Sequence, residues 1–203
     1  MSTHEDGKPQ AAAPPASAIT LRRRQIACAN SMWLVYFDAI TGIGGQTVED
    51  YLVLSPRTKG AGDVAGVCVL PVLADGRVVL LRNYRHPLNR EFWECARGFI
   101  DPTESSETAA LRELAEETGY SCAPADLIAL GHVAQEPSTL AGRVAVFAAV
   151  DCRPRTAPID DEPGLGVAHA IAFDDAIRMA GDGSIEDATT LIALYRYAAR
   201  RRP

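Results

Sequence analysis

Three glutamates between residues 113 and 117 have the spacing of a metal site. Glu113, Glu116 and Glu117 stand at positions i, i+3 and i+4, so a helix would project their carboxylates from one side. Like charges this close repel one another unless a cation lies among them. Hard oxygen ligands of this type suit Mg²⁺ or Mn²⁺, ions that commonly complete their coordination shell with phosphate oxygens. The spacing therefore indicates metal-assisted phosphate chemistry.

The residues around these glutamates predict the helix that must position them. Ser105 or Ser106 can cap its start, and Gly119 is placed to end it. The opposite side carries an apolar stripe that would pack on a core: Ala110, Leu111, Leu114 and Ala115. A surface helix whose glutamates only face water would show a similar charge run, so a solvated face is the alternative.

The run from Gly98 to Tyr120, GFIDPTESSETAALRELAEETGY, resembles the signature of the Nudix hydrolases. That signature is a glycine, five residues, a glutamate, seven residues, Arg-Glu, an aliphatic residue, any residue, Glu-Glu, any residue, a glycine and an apolar residue. The resemblance implies hydrolysis of a diphosphate with Mg²⁺, or Mn²⁺ in its place, bound by the three glutamates as catalytic residues. It also implies that Arg112 holds these glutamates through charge-assisted hydrogen bonds. Glu104 is a candidate for an outer ligand.

The segments before this run resemble the ADP-ribose pyrophosphatase branch of the family. Residues 82–85, RNYR, and 92–98, FWECARG, are similar to that branch's Arg-Gln-Tyr-Arg and Trp-Glu-Leu-Pro-Ala-Gly segments, although Cys95-Ala96-Arg97 stands where Leu-Pro-Ala is common. The resemblance implies cleavage of ADP-ribose, or a related nucleoside diphosphate sugar, to AMP and a sugar phosphate. Two alternatives remain open: another nucleoside diphosphate compound such as a dinucleotide or coenzyme, and a regulator that binds ADP-ribose-like ligands without cleaving them.

Charged residues in these segments are candidates for substrate binding. Arg85 resembles the arginine that grips phosphate in the branch, with Arg82 as its companion, and an exposed strand edge is the alternative for both. Arg97 offers a guanidinium fork for phosphate oxygens, or is an exposed charge at a strand end. By resemblance, its main-chain carbonyl is also a metal ligand. Glu94 is a candidate for substrate binding or for supplementary metal coordination.

An acidic loop late in the chain is expected to supply the general base. In the branch that this chain resembles, the base is often a glutamate on a mobile late loop, and here that loop contains Asp160, Asp161 and Glu162. Glu162 is the favoured catalytic residue because it lies at a similar distance before the following strand, and a solvated acidic loop is the alternative. Three aromatic residues either stack on adenine or belong to the core: Trp33, Tyr36 and Tyr84.

Apolar runs and turn signals predict an α/β fold. Strands are expected in an N-terminal hairpin, in a pair joined by Asp75-Gly76 and after the predicted helix, with two helices at the end, the first stopped by Gly181. The resemblance sharpens this to a Nudix-type α/β/α sandwich with a mixed β-sheet and an N-terminal β-hairpin extension. The expected division is a disordered leader at 1–18, an N-terminal β extension at 19–60 and a Nudix hydrolase domain at 61–203. By resemblance, the extension exchanges across a homodimer.

Composition sets the expected class of protein. A chain of 203 residues with 47% apolar residues is one ordinary globular domain with a substantial core. The formal charge of −6 argues against nucleic acid as a partner and fits an enzyme that uses a metal, while the nucleoside diphosphate substrate is what the resemblance implies. The five cysteines are widely spaced and predict reduced thiols, and no apolar run predicts a membrane span. Because the N-terminus also lacks the pattern of a secretory signal, a cytoplasmic protein is expected.

Overall fold

The computed structural model describes residues 19–155 and 162–201. The predicted leader, residues 1–18, lies outside the described residues, as do Asp160 and Asp161. The described chain begins with a three-stranded antiparallel sheet, in the order β1-β2-β3. Its strands are β1 (Ile19–Ala29), β2 (Trp33–Gly42) and β3 (Thr47–Pro56).

The predicted N-terminal hairpin is confirmed as β2 and β3, which pair directly across the turn. The sequence does not predict β1, because Arg22, Arg23 and Arg24 interrupt its apolar pattern and every residue of the strand is exposed. β1 is nevertheless paired along its length with β2. Arg24 adds a side-chain contact, since its guanidinium donates to both carboxylate oxygens of the buried Asp38 at 2.8 and 2.6 Å.

A second, mixed sheet forms the centre of the molecule. Its strands are β4 (Val64–Leu73), β5 (Val78–Arg85), β6 (Arg90–Glu94), β7 (Ala96–Phe99), β8 (Tyr120–Ser121), β9 (Leu127–Val133), β10 (Arg143–Pro154) and β11 (Ala168–Ile171). The main path runs β11-β5-β4-β10-β8, while β6, β7 and β9 pair with β5, β4 and β10. β4 and β10 are parallel, and the other pairs are antiparallel.

Helices cover both faces of the central sheet. They are α1 (Ser106–Thr118), α2 (Phe173–Asp182) and α3 (Ala188–Arg201). On β4, Val67 and Val69 join the apolar cluster beneath α1, whereas Cys68 and Leu70 join the cluster beneath α2 and α3. This alternation gives each face of the strand its own core. The predicted α/β/α sandwich is therefore confirmed.

Glycines in the left-handed region end two of the helices. Gly119 has φ 72° directly after α1, as the sequence predicts. The prediction that Gly181 stops the next helix is wrong, because Gly181 lies within α2 and Gly183, at φ 86°, ends it. Among the helices in residues 19–155 and 162–201, none has the length and apolar character needed to cross a membrane.

Candidate active site

Helix α1 turns two of its glutamates into the protein and leaves the third near solvent. Ser105 caps the helix, its Oγ accepting a hydrogen bond from the Thr108 amide at 3.1 Å. Glu113 and Glu117 are only 6% and 2% exposed. The side chain of Glu116 is 37% exposed. Two buried carboxylates on one helix need specific partners, because burying a charge without partners is costly.

Strand β7 supplies the closest main-chain contact of these glutamates. The Arg97 amide donates to Glu117 Oε2 at 2.8 Å. A Cβ at Gly98 would lie 1.9 Å from Glu113 Oε1, so only glycine admits this carboxylate beside the strand. The signature glycine is thus explained by the close approach of Glu113.

Arg112 connects the carboxylates of the signature glutamates to one another through hydrogen bonds. Its Nη1 donates to Glu113 Oε1 at 2.7 Å and to Glu116 Oε2 at 3.1 Å. Its Nε and Nη2 donate to the two oxygens of Glu104, at 3.1 and 3.0 Å, and Nη2 also donates to the Phe99 carbonyl at 2.9 Å. One planar guanidinium therefore ties α1 to the loop before it and to the end of β7.

We expect Arg112→Lys to lower kcat/KM by about 10- to 100-fold, the usual cost of losing a group that orients metal ligands. A lysine ammonium keeps the charge but cannot reproduce five donor contacts in a planar fork. Steady-state kinetics would measure the loss. Arg178→Lys is the matched control, because Arg178 pairs with Asp175 on the exposed surface of α2. Full activity of the Arg112 variant would contradict its orienting role.

The pKa of Glu117 is shifted by burial and by charged groups from other parts of the chain. Burial, Glu113 and Glu162 raise it, while the Arg97 amide and Arg85 lower it, and the result is a pKa of about 8. A carboxylate held this far above its usual range lacks sufficient positive charge around it. The groups that shift this pKa therefore come from α1, β5, β7 and the loop that carries Glu162.

The donor set fits a divalent cation. Glu113, Glu116 and Glu117 offer hard carboxylate oxygens, and the two buried ones flank the main chain of Arg97 and Gly98. Within the described part of the chain, no three acidic, cysteine or histidine side chains already converge at metal-ligand spacing. Arg112 accounts for this arrangement, since it engages Glu113 and Glu116 itself. A cation would complete the charge balance that Glu117 lacks.

Glu94 is the centre of a second charged network. It is 1% exposed. Its carboxylate accepts from Arg85, with Nη2 at 2.5 Å from Oε2, and from Asn83 Nδ2 at 3.0 Å, and it forms an ion pair with Arg97, whose Nη2 lies 2.7 Å from Oε1. Three partners satisfy this buried charge. Glu94 therefore fixes the direction of the Arg85 side chain from a buried position.

Arg97 and Arg82 differ in their surroundings. The Arg97 guanidinium bridges Glu94 and Asp187, with Nη1 at 2.9 Å from Asp187 Oδ1. It also lines a cavity between the N-terminal sheet and the central sheet. Arg82 instead pairs with Glu91 at 3.1 Å and lies 5.0 Å over the Trp93 ring. The structure thus brings Arg97 to the site and leaves Arg82 out of the cavity lining.

The loop that carries Glu162 is attached to the edge of β5. Glu162 Oε1 lies 3.9 Å from Arg85 Nη1. The Tyr84 amide donates to the Gly164 carbonyl at 2.8 Å, and the Gly166 amide donates to Asn83 Oδ1 at 2.9 Å. A Cβ at Gly166 would lie 1.8 Å from the Arg82 carbonyl, so glycine is required for this approach. Glu162 is held beside Arg85 as a result.

A cavity of about 570 Å³ opens between the N-terminal sheet and the central sheet. Trp33 lines it from β2, edge-to-face with Phe99 at 5.6 Å between ring centroids. Its charged lining comprises Arg85, Arg97, Arg143 and Glu162. The other two aromatic candidates lie elsewhere among the described residues: Tyr84 donates to Asn89, and Tyr36 lies beneath the Arg24 guanidinium. Trp33 is thus the aromatic candidate that the structure brings to the site.

Sequence reasoning missed three polar residues at this site. Asn83 is fully buried between Glu94 and Gly166, and Gln135 donates to Thr189 Oγ1 at the cavity wall. Asp187 caps α3 and holds Arg97. The capping pattern of Asp187 before a helix was a usable signal. Asn83 and Gln135 carry no local signal.

The fold and the glutamate arrangement define the class of protein. Residues 63–189 match the NUDIX domain family, which is more than half of the chain. The chain therefore belongs to the Nudix hydrolases, and it is a Nudix pyrophosphohydrolase, as its intact signature predicts. Nudix hydrolases use a divalent metal, consistent with the carboxylate set described above.

Several characterised proteins are similar to this chain. An ADP-ribose pyrophosphatase of Bacillus subtilis is 28% identical over 130 residues, which are 63% of this chain and 69% of that protein. An ADP-ribose pyrophosphatase of Saccharomyces cerevisiae is 42% identical over 81 residues, 38% of this chain and 35% of the yeast protein. A methanol dehydrogenase activator of Bacillus methanolicus is 25% identical over 152 residues, 74% of this chain and 76% of that protein. These relatives confirm the predicted similarity to the ADP-ribose pyrophosphatase branch.

A solved structure supports the fold. The crystal structure of an ADP compounds hydrolase superposes with a TM-score of 0.74, covering 91% of this chain and 94% of the other. The sequences are 21% identical, so this likeness concerns the arrangement of strands and helices alone. It confirms the Nudix sandwich independently of the signature.

Proposed function

We propose that this chain is a Mg²⁺-dependent hydrolase that cleaves the diphosphate of ADP-ribose, or of a related nucleoside diphosphate sugar, to AMP and a sugar phosphate. One observation carries the proposal: Glu113 and Glu117 of α1, Arg85 of β5 and Glu162 of the late loop are electrostatic neighbours, and Arg85 and Glu162 line a cavity with an aromatic wall. Carboxylates for a metal and an arginine for phosphate oxygens are what a diphosphate requires. The ADP-ribose pyrophosphatases among the relatives support the substrate class.

The metal ligands follow from the donor set. Glu113, Glu116, Glu117 and the Arg97 carbonyl would hold Mg²⁺, with Mn²⁺ as a substitute, because these are hard oxygen ligands. The bound ion would stabilise charge on the diphosphate oxygens and lower the pKa of a coordinated water. Arg112 keeps the carboxylates in register through the contacts already described. Glu113 and Glu117 are buried on α1, and Arg97 belongs to β7, so these ligands are held on regular secondary structure.

The remaining charged residues act on the substrate and the attacking water. Arg85, fixed by the buried Glu94, would donate to phosphate oxygens. Glu162, 3.9 Å from Arg85, would accept the proton of the water that attacks phosphorus. Trp33 presents an aromatic wall on which a nucleobase can stack. Arg97 lines the cavity, whereas Arg82 pairs with Glu91 outside the cavity lining.

A substrate panel tests the proposed specificity. Purified protein would be incubated with Mg²⁺ and ADP-ribose, other nucleoside diphosphate sugars, dinucleotides and coenzyme A, with phosphate measured after phosphatase treatment. We expect ADP-ribose or a nucleoside diphosphate sugar to have the highest kcat/KM. A dinucleotide or coenzyme with the highest value would overturn the substrate class. Tight ADP-ribose binding without any hydrolysis would indicate a regulator.

We propose that residues 19–60 form a dimerisation element and that the remainder, from residue 61, is the hydrolase domain. The N-terminal sheet exposes large apolar side chains at 42% to 58% of their area: Ile19, Leu21, Ile26, Phe37, Val48 and Leu52. Phe37 and Leu52 stand directly opposite each other in the β2–β3 ladder. Phe37 and Leu52 therefore form an exposed apolar pair on one face of this sheet, and exposed apolar surface of this kind marks an interaction site. A second copy of the chain is the proposed occupant.

We expect Phe37→Glu to convert a homodimer into a monomer, because it places a charge at the centre of this apolar surface. Light scattering coupled to size exclusion should give the wild type twice the 21.7 kDa chain mass. Tyr195→Glu is the matched control, since Tyr195 is 48% exposed on α3, outside the N-terminal sheet. A monomeric wild type, or a dimeric Phe37 variant, would contradict the proposal.

We also propose a reducing, cytoplasmic compartment. All five cysteines are free thiols, and Cys68, Cys95 and Cys152 are buried. Proteins of oxidising compartments commonly pair such residues in disulfides. The acidic net charge of −6 supports a small-molecule substrate rather than nucleic acid.

A further inference from the structure

The N-terminus of α3 contacts β7, the strand that contains Arg97 and Gly98. Asp187 Oδ2 accepts from the Thr190 amide at 2.8 Å and from Thr190 Oγ1 at 2.7 Å, so Asp187 caps the helix. Its other oxygen, Oδ1, accepts from Arg97 Nη1 at 2.9 Å. One carboxylate therefore links the helix cap to Arg97, ninety positions earlier in the chain.

Thr190 adds a second link to the same segment. Its hydroxyl oxygen accepts from the Cys95 amide at 2.9 Å, while its hydrogen is donated to Asp187. Thr190 and Cys95 are both fully buried. The N-terminus of α3 is thus attached to residues 95–97 at two points: at the Cys95 main chain and at the Arg97 side chain.

The opposite side of this segment contacts the catalytic helix. The Arg97 amide donates to Glu117 Oε2, and Gly98 lies directly against Glu113. Because α1 and α3 pack on opposite faces of the central sheet, residues 95–98 are held between them. The position of the Arg97 main chain relative to Glu117 depends on both helices.

Alternating charges continue this link into the cavity. Asp187 contacts Arg97, Arg97 contacts Glu94, and Glu94 contacts Arg85. The side chains of Asp187 and Glu94 are 15% and 2% exposed. Each buried charge in this row is balanced by the next, so neutralising one end leaves Arg97 with a single carboxylate partner.

We propose that Asp187 is a positioning residue that acts through Arg97. It holds Arg97 so that the main chain meets Glu117 and the Glu94–Arg85 pair keeps its direction toward the substrate. The inference rests on the proposed function for its kinetic consequence. Its consequence for metal binding stands apart from turnover, because the Arg97 main chain contacts Glu117 whether or not a substrate is present.

Asp187→Asn isolates this role from helix capping. Asparagine caps a helix about as well as aspartate, so the Thr190 contacts are kept while the charge facing Arg97 is lost. We expect kcat/KM to fall about tenfold and Mn²⁺ affinity, measured by calorimetry with the metal alone, to weaken by a similar factor. The unfolding temperature should change little. Asp182→Asn is the matched control, because Asp182 accepts from the Ser184 amide at an exposed helix end.

A double-mutant cycle with Arg97→Met decides whether Asp187 acts through Arg97. If it does, Asp187→Asn will have little further effect on kcat/KM or Mn²⁺ affinity in the Arg97→Met background. Additive losses, or an unchanged Asp187→Asn protein, would overturn the inference. Absence of wild-type hydrolysis would instead remove the proposed function, and the Mn²⁺ cycle would still support or overturn the positioning role by itself.

Discussion

Glu117→Gln is expected to lower kcat about 1000-fold while leaving the metal-free protein at least as stable as the wild type. The loss follows from removing a charged ligand of the proposed metal ion, which would stabilise the transition state by several kcal/mol. About 4 kcal/mol corresponds to three powers of ten in rate. Initial rates with Mg²⁺ and ADP-ribose would measure the effect.

The stability half of this prediction comes from the raised pKa of Glu117. A folded-state pKa of about 8, above the usual value for glutamate, means that stability declines as pH rises from about 4.5 toward 8. Glutamine has nearly the same shape and no charge, so it removes that cost. Thermal unfolding in EDTA at pH 8 should therefore show an equal or higher midpoint for the variant.

Glu107→Gln is the matched control for Glu117→Gln. Glu107 lies in the first turn of the same helix, is exposed, and has no contact with the cavity among the described residues. We expect it to retain wild-type turnover. If Glu117→Gln kept more than a tenth of wild-type kcat, or unfolded at a much lower temperature in EDTA, the assigned role of Glu117 would be wrong.

Glu162→Gln is expected to lower kcat about 100-fold with little change in KM. A general base contributes about 100- to 10,000-fold, and the lower figure suits an exposed carboxylate that water can partly replace. Glutamine keeps the shape of the side chain but cannot accept a proton. Steady-state kinetics at saturating Mg²⁺ would separate the effect on kcat from that on KM.

Asp160→Asn and Asp161→Asn are the natural comparisons for this variant. They remove the same charge from the same acidic loop, and we expect much smaller losses from them. Full turnover by the Glu162 variant would remove it from the mechanism. A larger loss in either aspartate variant would move the general base to that residue.

Helix α1 was predictable because its signals are local. The cap Ser105, the glutamates and the terminal Gly119 all lie within residues 105–119, and each acts through helix geometry. The prediction of the buried apolar stripe was less accurate: Ala110 and Leu114 are buried, whereas Leu111 and Ala115 are only half-buried. Glu113 and Glu117 occupy part of the buried face instead, because β7 and Arg112 provide partners for them.

The charged network around Glu94 was not predictable from spacing. Asn83, Glu94 and Asp187 meet through strands and a helix far apart in the chain, and such contacts leave no periodic trace. The separation of Arg82 from Arg85 did have a signal. An odd spacing along a strand sends two side chains to opposite faces, so these arginines could not share one phosphate subsite.

Two boundaries also show where local reasoning fails. β1 carries three consecutive arginines and no buried residue, so its strand character comes from pairing with β2 rather than from its own pattern. In α2, both Gly181 and Gly183 are able to end a helix, and the choice depends on tertiary packing. Ile185, which follows Gly183 closely and is almost fully buried, donates a hydrogen bond from its amide to the Met179 carbonyl.

The most direct test of the account is product identification after incubating the wild-type protein with ADP-ribose and Mg²⁺. Mass spectrometry should detect AMP and ribose 5-phosphate in equal amounts, neither product in EDTA, and about a thousandth as much of each with Glu117→Gln over the same time. Intact ADP-ribose after prolonged incubation with Mg²⁺ or Mn²⁺, or products cut at a bond other than the diphosphate, would contradict it.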